Sequence, residues 1–409
     1  MKLMDKIKSK SAKICVIGIG YMGLPISALF AKQGFDVLGF DVDAKKVELV
    51  NKSIPPFEEK DLPELIKSVR FKSKLRASSK IEKADIFLIS VPTPKKNNNA
   101  DLSFVEAATK SIYSVLEEGN LVILESTVPP KTSINLIKPL LDQKKIKYYL
   151  AHCPERAFPG NTIYELINND RIVGGLDEEA TSLAKELYLT FVKGKIFTTT
   201  ITTAEFCKLA ENTYRDVNIA LANELALLCE DVGINVWDLI ELANKHPRVN
   251  ILQPGPGVGG HCIPKDPIYL YKSSTKAKLI PIAREVNDSM PKHVVDMIKE
   301  EVKGVKKPKI ALLGASFKKN VDDTRDSPTE FIAKLLLDLD YEVKIHDPLV
   351  KMFKFELSDY DACVKDADLV VLLIDHDYYK SKDFSKLKIL DTRNFYPKAA
   401  RKLGVGSKP

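Results

Sequence analysis

The sequence predicts an α/β protein in which two doubly wound domains are joined by one long central helix. Three observations support this fold class. Short apolar runs alternate with helical patterns from Lys13 onward, one long helical pattern follows, and the alternation then resumes after a lysine-rich linker at residues 303–309. Strands that alternate with helices are typical of parallel sheets. The expected boundaries are residues 1–200 and 303–409 for the two α/β domains and 201–302 for the helical region.

The composition is typical of a soluble globular protein. Of the 409 residues, 44% are apolar and 29% are charged, an ordinary balance for such domains. The sequence shows no signal peptide and no run of ~18 apolar residues that could span a membrane, so we expect a cytoplasmic protein without membrane contacts. The net charge of +7 is spread along the chain. It suits an anionic small molecule better than a nucleic acid, because no Lys/Arg stripe with interleaved aromatic residues occurs.

The cysteines indicate neither a disulfide framework nor a metal site. All six are scattered along the chain without a C-x-x-C pair, which excludes the usual spacing of both. Two dipeptides, His152–Cys153 and His261–Cys262, combine residue types that ligate metals. Adjacent residues seldom ligate one ion, so we expect no metal.

A glycine-rich turn near the amino terminus predicts a dinucleotide-binding site. The strand Lys13–Ile17 runs into a G-x-G-x-x-G motif, and a helical pattern follows at residues 24–33. Glycines at these positions let the backbone approach a pyrophosphate, whose charge the helix N-terminus stabilises. The residues expected to contact the cofactor here are Gly18, Gly20, Tyr21, Met22 and Gly23.

An acidic residue at the end of the second strand favours NAD over NADP. The strand at residues 37–40 ends at Asp41, which lies 23 residues after Gly18, near the ~20 residues usual between the glycine turn and the ribose-binding acid. A carboxylate accepts a hydrogen bond from the ribose 2′-hydroxyl and repels a 2′-phosphate. The strand, turn, helix and acid together indicate a Rossmann-like NAD-binding domain.

Two later strands of this domain end in polar residues. The strand at residues 86–91 is followed by Thr93, and the strand at residues 121–125 is followed by Thr127. The carboxyl ends of parallel strands form the edge at which such sheets bind ligands, so both threonines are plausible cofactor or substrate contacts. A helix cap or a turn former is an equally good interpretation of each threonine taken singly.

A long helix is predicted from Thr202 to Asp231. Apolar residues recur there at intervals of three and four, and Thr202 with Glu205 forms a capping-box pattern. At its usual rise per residue this helix is about 40 Å long, enough to connect two domains. Lys208 and Asn212 lie one turn apart on one face of it. A surface helix would normally present such residues to water.

Residues 254–266 place a thiol in a turn that is neither helix nor regular strand. The glycines and prolines of this segment shape a backbone that exposes Cys262 and approaches a bulky group closely. Asp266, four positions on, is near enough to act at the same reaction centre. A cysteine in an arbitrary loop is usually only a small apolar residue, so the other motifs of the chain decide between the two interpretations.

The second α/β domain lacks a G-x-G-x-x-G motif. Its polar loop at residues 317–325 lies at a strand end and carries Lys318 and Arg325, two cations available to phosphates. Strands are predicted at Lys309–Leu313, Glu342–His346, residues 369–374 and Ile389–Asp391, and a helix is predicted at residues 327–337.

Over nearly its whole length the chain resembles the UDP-glucose/GDP-mannose dehydrogenase family. The resemblance rests on ordered motifs: GIGYMG, SVPTP, ESTVPP, HCPER, AEFCKLAENTYRDVNIALANE, GVGGHCIPKD and FKKNVDDTRDSP. It implies a nucleotide-sugar 6-dehydrogenase that oxidises the C6 alcohol of the sugar to a carboxylate with two NAD+ and one water. It also implies two Rossmann-like domains joined by a long helix that mediates dimerisation, in a homodimer or a homotetramer.

The resemblance assigns chemistry to residues of three motifs. Cys262 matches the nucleophile, which captures the intermediate aldehyde as a thiohemiacetal and carries it on as a thioester. Lys208 and Asn212 match donors to the developing oxyanions. Glu155 and Asp266 match the carboxylates near the hydrolytic water, and the base role stays open between them.

The resemblance also implies binding roles. Thr127 holds the hydrolytic water, Arg325 contacts the cofactor, and Arg393 binds the anionic end of the substrate. The implied substrate contacts are Glu155, Arg156, Lys208, Asn212, Arg248, Gly259, His261, Lys318 and Arg393.

The sequence departs from the UDP-glucose members at two positions. His261 precedes the nucleophile where those members typically carry serine, and Pro159 stands where they carry a second glutamate. Both departures resemble the branch that acts on N-acetylhexosamines. We therefore expect a UDP-N-acetylhexosamine substrate, UDP-N-acetylmannosamine first and UDP-N-acetylglucosamine as the alternative. The residues expected to discriminate between them are Arg156, Arg248 and His261.

Two other functions are compatible with parts of the sequence. A single-step NAD dehydrogenase of the hydroxyacid type shares the Rossmann-like domain, the long helix and a catalytic lysine, but it needs no nucleophilic cysteine. A non-catalytic NAD-binding sensor has no use for Cys262, Lys208, Asn212 and Asp266 together. The nucleotide-sugar dehydrogenase interpretation accounts for all four.

Overall fold

The chain folds into two units, Met1–Ala210 and Glu211–Pro409. The computed structural model describes residues 1–71, 74–157 and 160–406, with the backbone alone for Phe71. Pro159, one of the two departures from the UDP-glucose pattern, lies outside the described residues. No helix in these described ranges is both long and apolar enough to cross a membrane.

The first unit is built on an eight-stranded sheet in the order β10-β9-β8-β7-β4-β1-β2-β3, with a separate β5-β6 hairpin. β9 is antiparallel to β8, and the other neighbouring strands of this sheet are parallel. The strands are β1 (Lys13–Ile17), β2 (Asp36–Phe40), β3 (Leu75–Ser78), β4 (Ile86–Ile89), β5 (Lys95–Lys96), β6 (Asn99–Ala100), β7 (Leu121–Leu124), β8 (Tyr149–His152), β9 (Arg171–Gly175) and β10 (Ile196–Thr200).

Helices cover both faces of this sheet. Ile14 and Val16 of β1 join one apolar cluster, whereas Cys15 and Ile17 join another. A strand buried on both faces reads as a continuous apolar run, which is why the sequence pattern located β1. The helices are α1 (Leu3–Lys8), α2 (Gly23–Gln33), α3 (Ala44–Asn51), α4 (Leu62–Phe71), α5 (Ser103–Val115), a π-helical turn (Ser133–Ile137), α6 (Lys138–Asp142), α7 (Thr162–Asn168) and α8 (Glu178–Leu189).

The long helix α9 (Ile201–Val232) confirms the predicted helix, but the predicted capping box is wrong. The hydroxyl of Thr200 accepts from the backbone N–H of Thr203 at 3.3 Å. Glu205 instead accepts from the backbone N–H groups of Lys131 at 2.5 Å and Ser133 at 2.7 Å. These two donors belong to the turn after β7 and would otherwise be unpaired, so the carboxylate satisfies a need far away in sequence.

The second unit contains a five-stranded parallel sheet in the order β12-β11-β13-β14-β15. Ile310 and Leu312 face one apolar cluster while Ala311 and Leu313 face another, so this sheet is also covered on both sides. Its elements are α10 (Val236–Ala243), α11 (Asp266–Tyr271), α12 (Leu279–Glu301), β11 (Lys309–Leu313), α13 (Pro328–Asp338), β12 (Glu342–His346), α14 (Tyr360–Val364), β13 (Leu369–Leu372), a 3₁₀ turn (Asp377–Ser381), β14 (Ile389–Asp391) and β15 (Arg401–Lys402).

The predicted α/β fold with two Rossmann-like domains is confirmed. β4, β7 and β13 end one or two residues earlier than predicted. After β4 a side chain takes over the pairing, because the hydroxyl of Ser126 accepts from the N–H of Val91 at 3.0 Å and donates to its carbonyl at 2.7 Å.

Candidate active site

The glycine turn after β1 has the geometry of a pyrophosphate cradle. Gly18 has a φ of +92°, and a Cβ there would lie 2.5 Å from the carbonyl oxygen of Ser90. A Cβ on Gly23 would lie 1.8 Å from the Gly18 oxygen, whereas one on Gly20 would meet nothing within 4 Å. Two glycines thus permit close packing, and the third leaves open space before the N-terminus of α2. These residues fit NAD, whose pyrophosphate would take that space.

Asp41 at the end of β2 also orders the glycine turn. Its two carboxylate oxygens accept from the backbone N–H of Ile19 at 3.1 Å and of Asp43 at 2.9 Å. A carboxylate has about four lone-pair sites, so both oxygens retain capacity for a ribose hydroxyl. Of the two other predicted cofactor contacts in the turn, Tyr21 is exposed and stacks on Phe57, with 4.3 Å between ring centroids, and Met22 is half-buried.

Thr93 and Thr127 lie together at the carboxyl edge of the first sheet. The buried hydroxyl of Thr93 donates to the carbonyl oxygen of Thr127 at 2.7 Å. Thr93 therefore ties the loop after β4 to the loop after β7, which agrees with its interpretation as a turn former. The side chain of Thr127 is half-buried at the same edge.

Glu155 lies just beyond β8 and is held by three donors. One carboxylate oxygen accepts from the backbone N–H groups of Arg156 and Ala157, each at 2.7 Å. The other accepts from Nη2 of Arg171 at 3.0 Å. The side chain of Arg156 donates to the carbonyl oxygen of Asp170 at 2.9 Å. Sequence reasoning missed Arg171, because the strand β9 that it opens was not predicted.

The cysteine loop of the second unit packs on the loop that follows β11. A Cβ on Gly259 would lie 2.6 Å from Cβ of Phe317, and one on Gly260 would lie 2.8 Å from its ring. The N–H of Gly260 donates to the carbonyl oxygen of Arg325 at 2.8 Å. The glycines are therefore needed for close contact between the two loops. Cys262 itself is exposed.

Asn212 and Asp266 form a buried hydrogen bond next to this loop. Nδ2 of Asn212 donates to Oδ2 of Asp266 at 2.7 Å, and the backbone N–H of Asp266 donates to the carbonyl oxygen of Cys262 at 2.9 Å. The second unit thus brings these three predicted catalytic residues together. Lys208, half-buried, precedes Asn212 by one turn of α9.

His261 is paired with Lys265, a residue that sequence reasoning missed. Nε2 of His261 lies 3.3 Å from the ammonium nitrogen of Lys265. Burial, and after it the positive charges of Lys265 and Arg325, lower the pKa of His261 to about 4. His261 is therefore neutral near pH 7. Because an ammonium group only donates, Nε2 is the acceptor and Nδ1 carries the proton. The sequence could have indicated a role for Lys265, because it lies between Cys262 and Asp266 in the same motif.

A second buried asparagine on α9 anchors the start of the cysteine loop. Oδ1 of Asn223 accepts from the N–H of Gly255 at 2.9 Å, and its Nδ2 donates to Asn287 of α12 at 2.9 Å. Asn287 donates in turn to Asp216, which is ion-paired with Arg284. Sequence reasoning missed this network. The sequence pattern that could have revealed it is the placement of polar residues 212, 216 and 223 on one face of the helix.

The remaining predicted contacts are more exposed. Lys318 and Arg325 are exposed, and Nη2 of Arg325 pairs with Asp323 at 2.5 Å. Arg393 is half-buried, and its Nη1 donates to the carbonyl oxygen of Pro254 at 3.3 Å. Arg248 is exposed in the loop after α10.

Sequence models of one family cover most of the chain. The NAD binding domain of the UDP-glucose/GDP-mannose dehydrogenase family matches residues 12–192, its central domain matches residues 202–289, and its UDP binding domain matches residues 311–398. The chain belongs to the UDP-glucose/GDP-mannose dehydrogenase family. It is an NAD-dependent oxidoreductase with a nucleotide-sugar substrate, so the predicted family, enzyme class and cofactor are confirmed.

Individual relatives share almost the whole length. A UDP-N-acetyl-D-mannosamine dehydrogenase of Methanocaldococcus jannaschii is 50% identical over 93% of this chain and 92% of its own. An NDP-N-acetyl-D-galactosaminuronic acid dehydrogenase of Ralstonia nicotianae is 42% identical over 94% of this chain and 96% of its own. The solved UDP-D-ManNAc dehydrogenase of Pyrococcus horikoshii superposes with a TM-score of 0.91 at 38% identity, covering 96% of this chain and 99% of that one.

Replacing Asp41 tests its assignment to the ribose. In Asp41→Ala the ratio of kcat/KM for NAD+ to that for NADP+ should fall at least about tenfold, because a hydrogen bond to a charged group contributes ~1.5–3 kcal/mol. Asp36→Ala, the same change at the other end of β2, is the control and should keep the ratio. The ratio separates ribose recognition from any loss of order in the glycine turn. An unchanged ratio in Asp41→Ala would exclude Asp41 as the ribose ligand.

Proposed function

We propose that the protein oxidises UDP-N-acetyl-D-mannosamine at C6 to UDP-N-acetyl-D-mannosaminuronate, using two NAD+ and one water. The observation that best supports this substrate is the 50% identity, over 93% of the chain, to the dehydrogenase of M. jannaschii. His261 supports it, since this position beside the nucleophile departs from the UDP-glucose pattern in the direction of the acetamido sugars.

The oxidation needs an activated oxygen and a nucleophile. NAD+, when bound, accepts one hydride in each of the two oxidations. Lys208 and Asn212 donate to the C6 oxygen as negative charge develops on it. Cys262 attacks the C6 aldehyde to give a thiohemiacetal, and loss of the second hydride leaves a thioester on its sulfur. The exposed thiol of Cys262 in its glycine loop supports this role.

Water then hydrolyses the thioester with the help of carboxylates. Glu155 and Asp266 are the two candidates for the base, and Thr127 is the candidate for holding the water. Asp266 is hydrogen-bonded to Asn212 within the loop that carries the nucleophile. Glu155 is fixed by three N–H donors, which orient its carboxylate.

We also propose a function for each of the three domains. Residues 1–200 bind NAD, residues 201–302 carry the cysteine loop and the subunit interface, and residues 303–409 bind the UDP moiety. The ranges of the three family matches support this division. Within it, Arg325 serves the cofactor. The proposed sugar and uridine contacts are Glu155, Arg156, Lys208, Asn212, Arg248, Gly259, His261, Lys318 and Arg393.

We also propose a homodimer, or a tetramer of such dimers, in the cytoplasm. Tyr214, Leu221 and Leu228 recur every seven residues on α9 and are 58%, 47% and 53% exposed, an apolar stripe that a second copy would bury. Asn218, between them, holds the loop of Arg248 through Asn250 and Leu252. This loop therefore lies beside the stripe, where Arg248 can serve the partner's site. The six free cysteines accord with a reducing compartment.

A second candidate substrate has a specific observation in its favour. The 42% identity to the Ralstonia enzyme includes nearly the whole chain, so an N-acetylgalactosamine configuration competes with the mannosamine configuration. UDP-N-acetylglucosamine is the further epimer to compare.

A panel of UDP-sugars tests the proposed substrate. We expect the highest kcat/KM with UDP-N-acetylmannosamine, by at least about tenfold over the glucosamine and galactosamine isomers, because a misplaced acetamido or hydroxyl group leaves buried polar groups unpaired. Two NADH should form per sugar. A preference for UDP-glucose would overturn the acetamido assignment, and a preference for another N-acetylhexosamine isomer would overturn only the choice of sugar. One NADH with a stable carbonyl product would instead indicate a single-step dehydrogenase, and tight NAD+ binding without any turnover would indicate a sensor.

Cys262→Ala tests the covalent step. We expect this variant to form no acid, while it still binds NAD+ and substrate, because the glycines and not the thiol shape the loop. Isothermal titration and product analysis by mass spectrometry provide the readouts. Cys363→Ala, which removes a buried thiol from the last domain, is the control and should retain acid formation. Full acid formation by Cys262→Ala would rule out the thioester.

Leu221→Glu tests the proposed interface. A charge on the apolar stripe should shift the protein toward monomers in analytical ultracentrifugation, because the charge would be buried without a partner. Leu189→Glu changes a leucine of matched exposure, 48% against 47%, at the end of α8 and should not affect assembly. Unchanged assembly of Leu221→Glu would move the interface elsewhere.

A further inference from the structure

A cluster of buried polar side chains adjoins Glu155 in the first unit. Glu125 follows β7, Cys153 follows β8, Arg171 opens β9 and Tyr188 belongs to α8. All four are buried. The side chain of Arg171 is 5% exposed, whereas that of Glu155 is 12% exposed. A guanidinium withdrawn from water in this way is tolerated only when its partners compensate its charge and its N–H groups.

Strand register explains why Glu155 and Arg171 meet. β8 and β9 are antiparallel, and His152 lies opposite Gly174. Glu155 comes three residues after His152, and Arg171 comes three residues before Gly174. In an antiparallel pair, a residue three positions forward on one strand lies opposite the residue three positions back on the other. Glu155 and Arg171 are therefore neighbours beyond the end of the paired segment.

Three partners fix the plane of the Arg171 guanidinium. Nη2 donates to Oε2 of Glu155 at 3.0 Å, and Nη1 donates to the sulfur of Cys153 at 3.5 Å. The guanidinium carbon lies 4.7 Å from the centroid of the Tyr188 ring. Burial raises the pKa of Cys153 to about 12, so its sulfur stays a neutral thiol and Glu155 supplies the anionic partner. A lysine ammonium has neither the fork nor the flat face that these contacts use.

Tyr188 is itself held from the other side. Its hydroxyl donates to Oε1 of Glu125 at 2.6 Å. Burial raises the pKa of Glu125 to about 7, although the charge of Arg171 opposes this rise. Glu125 therefore accepts from Tyr188 without needing to carry a full charge near neutral pH. The ring on which Arg171 rests is thus fixed by a hydrogen bond as well as by packing.

Arg171 is the side-chain donor in the set that orients Glu155. The other two donors are the backbone N–H groups of Arg156 and Ala157, and both bond to Oε1. They fix one oxygen, and Arg171 fixes the other. Glu155, Arg156 and Arg171 also line one surface depression. The ion pair therefore borders a small surface depression and is not sealed in a core.

We propose that Arg171 is a positioning residue for hydrolysis of the thioester, acting through the carboxylate of Glu155. This inference rests on the proposed role of Glu155 as the base. In that step the water oxygen bonds to the C6 carbonyl carbon, the C–S bond breaks, and the sulfur of Cys262 leaves as thiolate. One proton of the water passes to Glu155 and then to the thiolate, and the other stays with the acid product. A carboxylate free to rotate would meet this water less often in the reactive geometry.

The variant Arg171→Lys separates a positioning role of Arg171 from a purely structural one. It keeps the positive charge but loses the planar, forked guanidinium group. The full-length enzyme is mixed with NAD+ and UDP-N-acetylmannosamine, and NADH formation is followed by stopped flow. The mass of the acid-quenched protein is then measured by mass spectrometry. We expect the first hydride transfer to stay within about threefold of wild type, while hydrolysis slows by about 10- to 100-fold. A burst of two NADH per site and a sugar adduct on Cys262 should then appear. Arg76→Lys is the control, since Arg76 pairs with Glu82 in the open at the far edge of the sheet.

Two further variants decide the outcomes that Arg171→Lys leaves ambiguous. Tyr188→Phe keeps the ring and removes its bond to Glu125, so it should give a weaker form of the same burst, and it replaces Arg171→Lys if the latter does not fold. Glu155→Gln should also accumulate the adduct. If Glu155→Gln hydrolyses normally, the base role of Glu155 fails and the positioning role with it. If Glu155→Gln accumulates the adduct but Arg171→Lys or Tyr188→Phe slows every step equally, only the positioning role is overturned.

Discussion

Two hydrogen bonds from α9 hold the cysteine loop, and the placement of Cys262 in the second unit depends on them. Asn212 bonds to Asp266 and Asn223 bonds to Gly255. The two asparagines are 11 residues apart, as are their two partners, so the loop runs back along about three turns of the helix. A segment rich in glycine and proline cannot form its own regular hydrogen bonds. Fixed at both ends by a rigid helix, it can still present Cys262 in one place.

In each Rossmann-like sheet an aspartate follows the second strand along the chain, and the two aspartates have different hydrogen-bond partners. Asp41 accepts from two backbone N–H groups and retains capacity for a ribose. Asp347, at the matching place after β12, accepts from backbone N–H groups of four residues and lies 3.1 Å from Nε2 of His376. Nδ1 of His376 accepts from the N–H of Asn320, in the loop of Lys318. The carboxylate of Asp347 thus orders the loops around it, whereas that of Asp41 retains capacity for a ligand.

Local patterns in the sequence predicted what depends on neighbours along the chain. β1, β11, β12 and β14 have the predicted bounds because each is a short apolar or alternating segment that ends in a turn. The glycine turn is recognisable because its residues are adjacent. The partners of Glu205 and Arg171 were not predictable in this way. Glu205 bonds to residues 72 and 74 positions away, and Arg171 meets Glu155 only through an antiparallel strand that the pattern did not locate. Register between distant segments decides such contacts, and one sequence alone does not give it.

Two buried arginine–carboxylate pairs lie beside the segments that carry the proposed chemistry. Arg171 is paired next to Glu155, and Arg284 is paired with Asp216 behind the asparagines that hold the cysteine loop. A buried ion pair is seldom more stabilising than well-packed apolar side chains of the same size, so stability alone does not account for these positions. What an ion pair adds is direction, because its hydrogen bonds are satisfied in one orientation and unsatisfied in others. A reaction in which one loop must meet a sugar, a hydride acceptor and a water in turn depends on that direction more than on the stability that apolar packing would add.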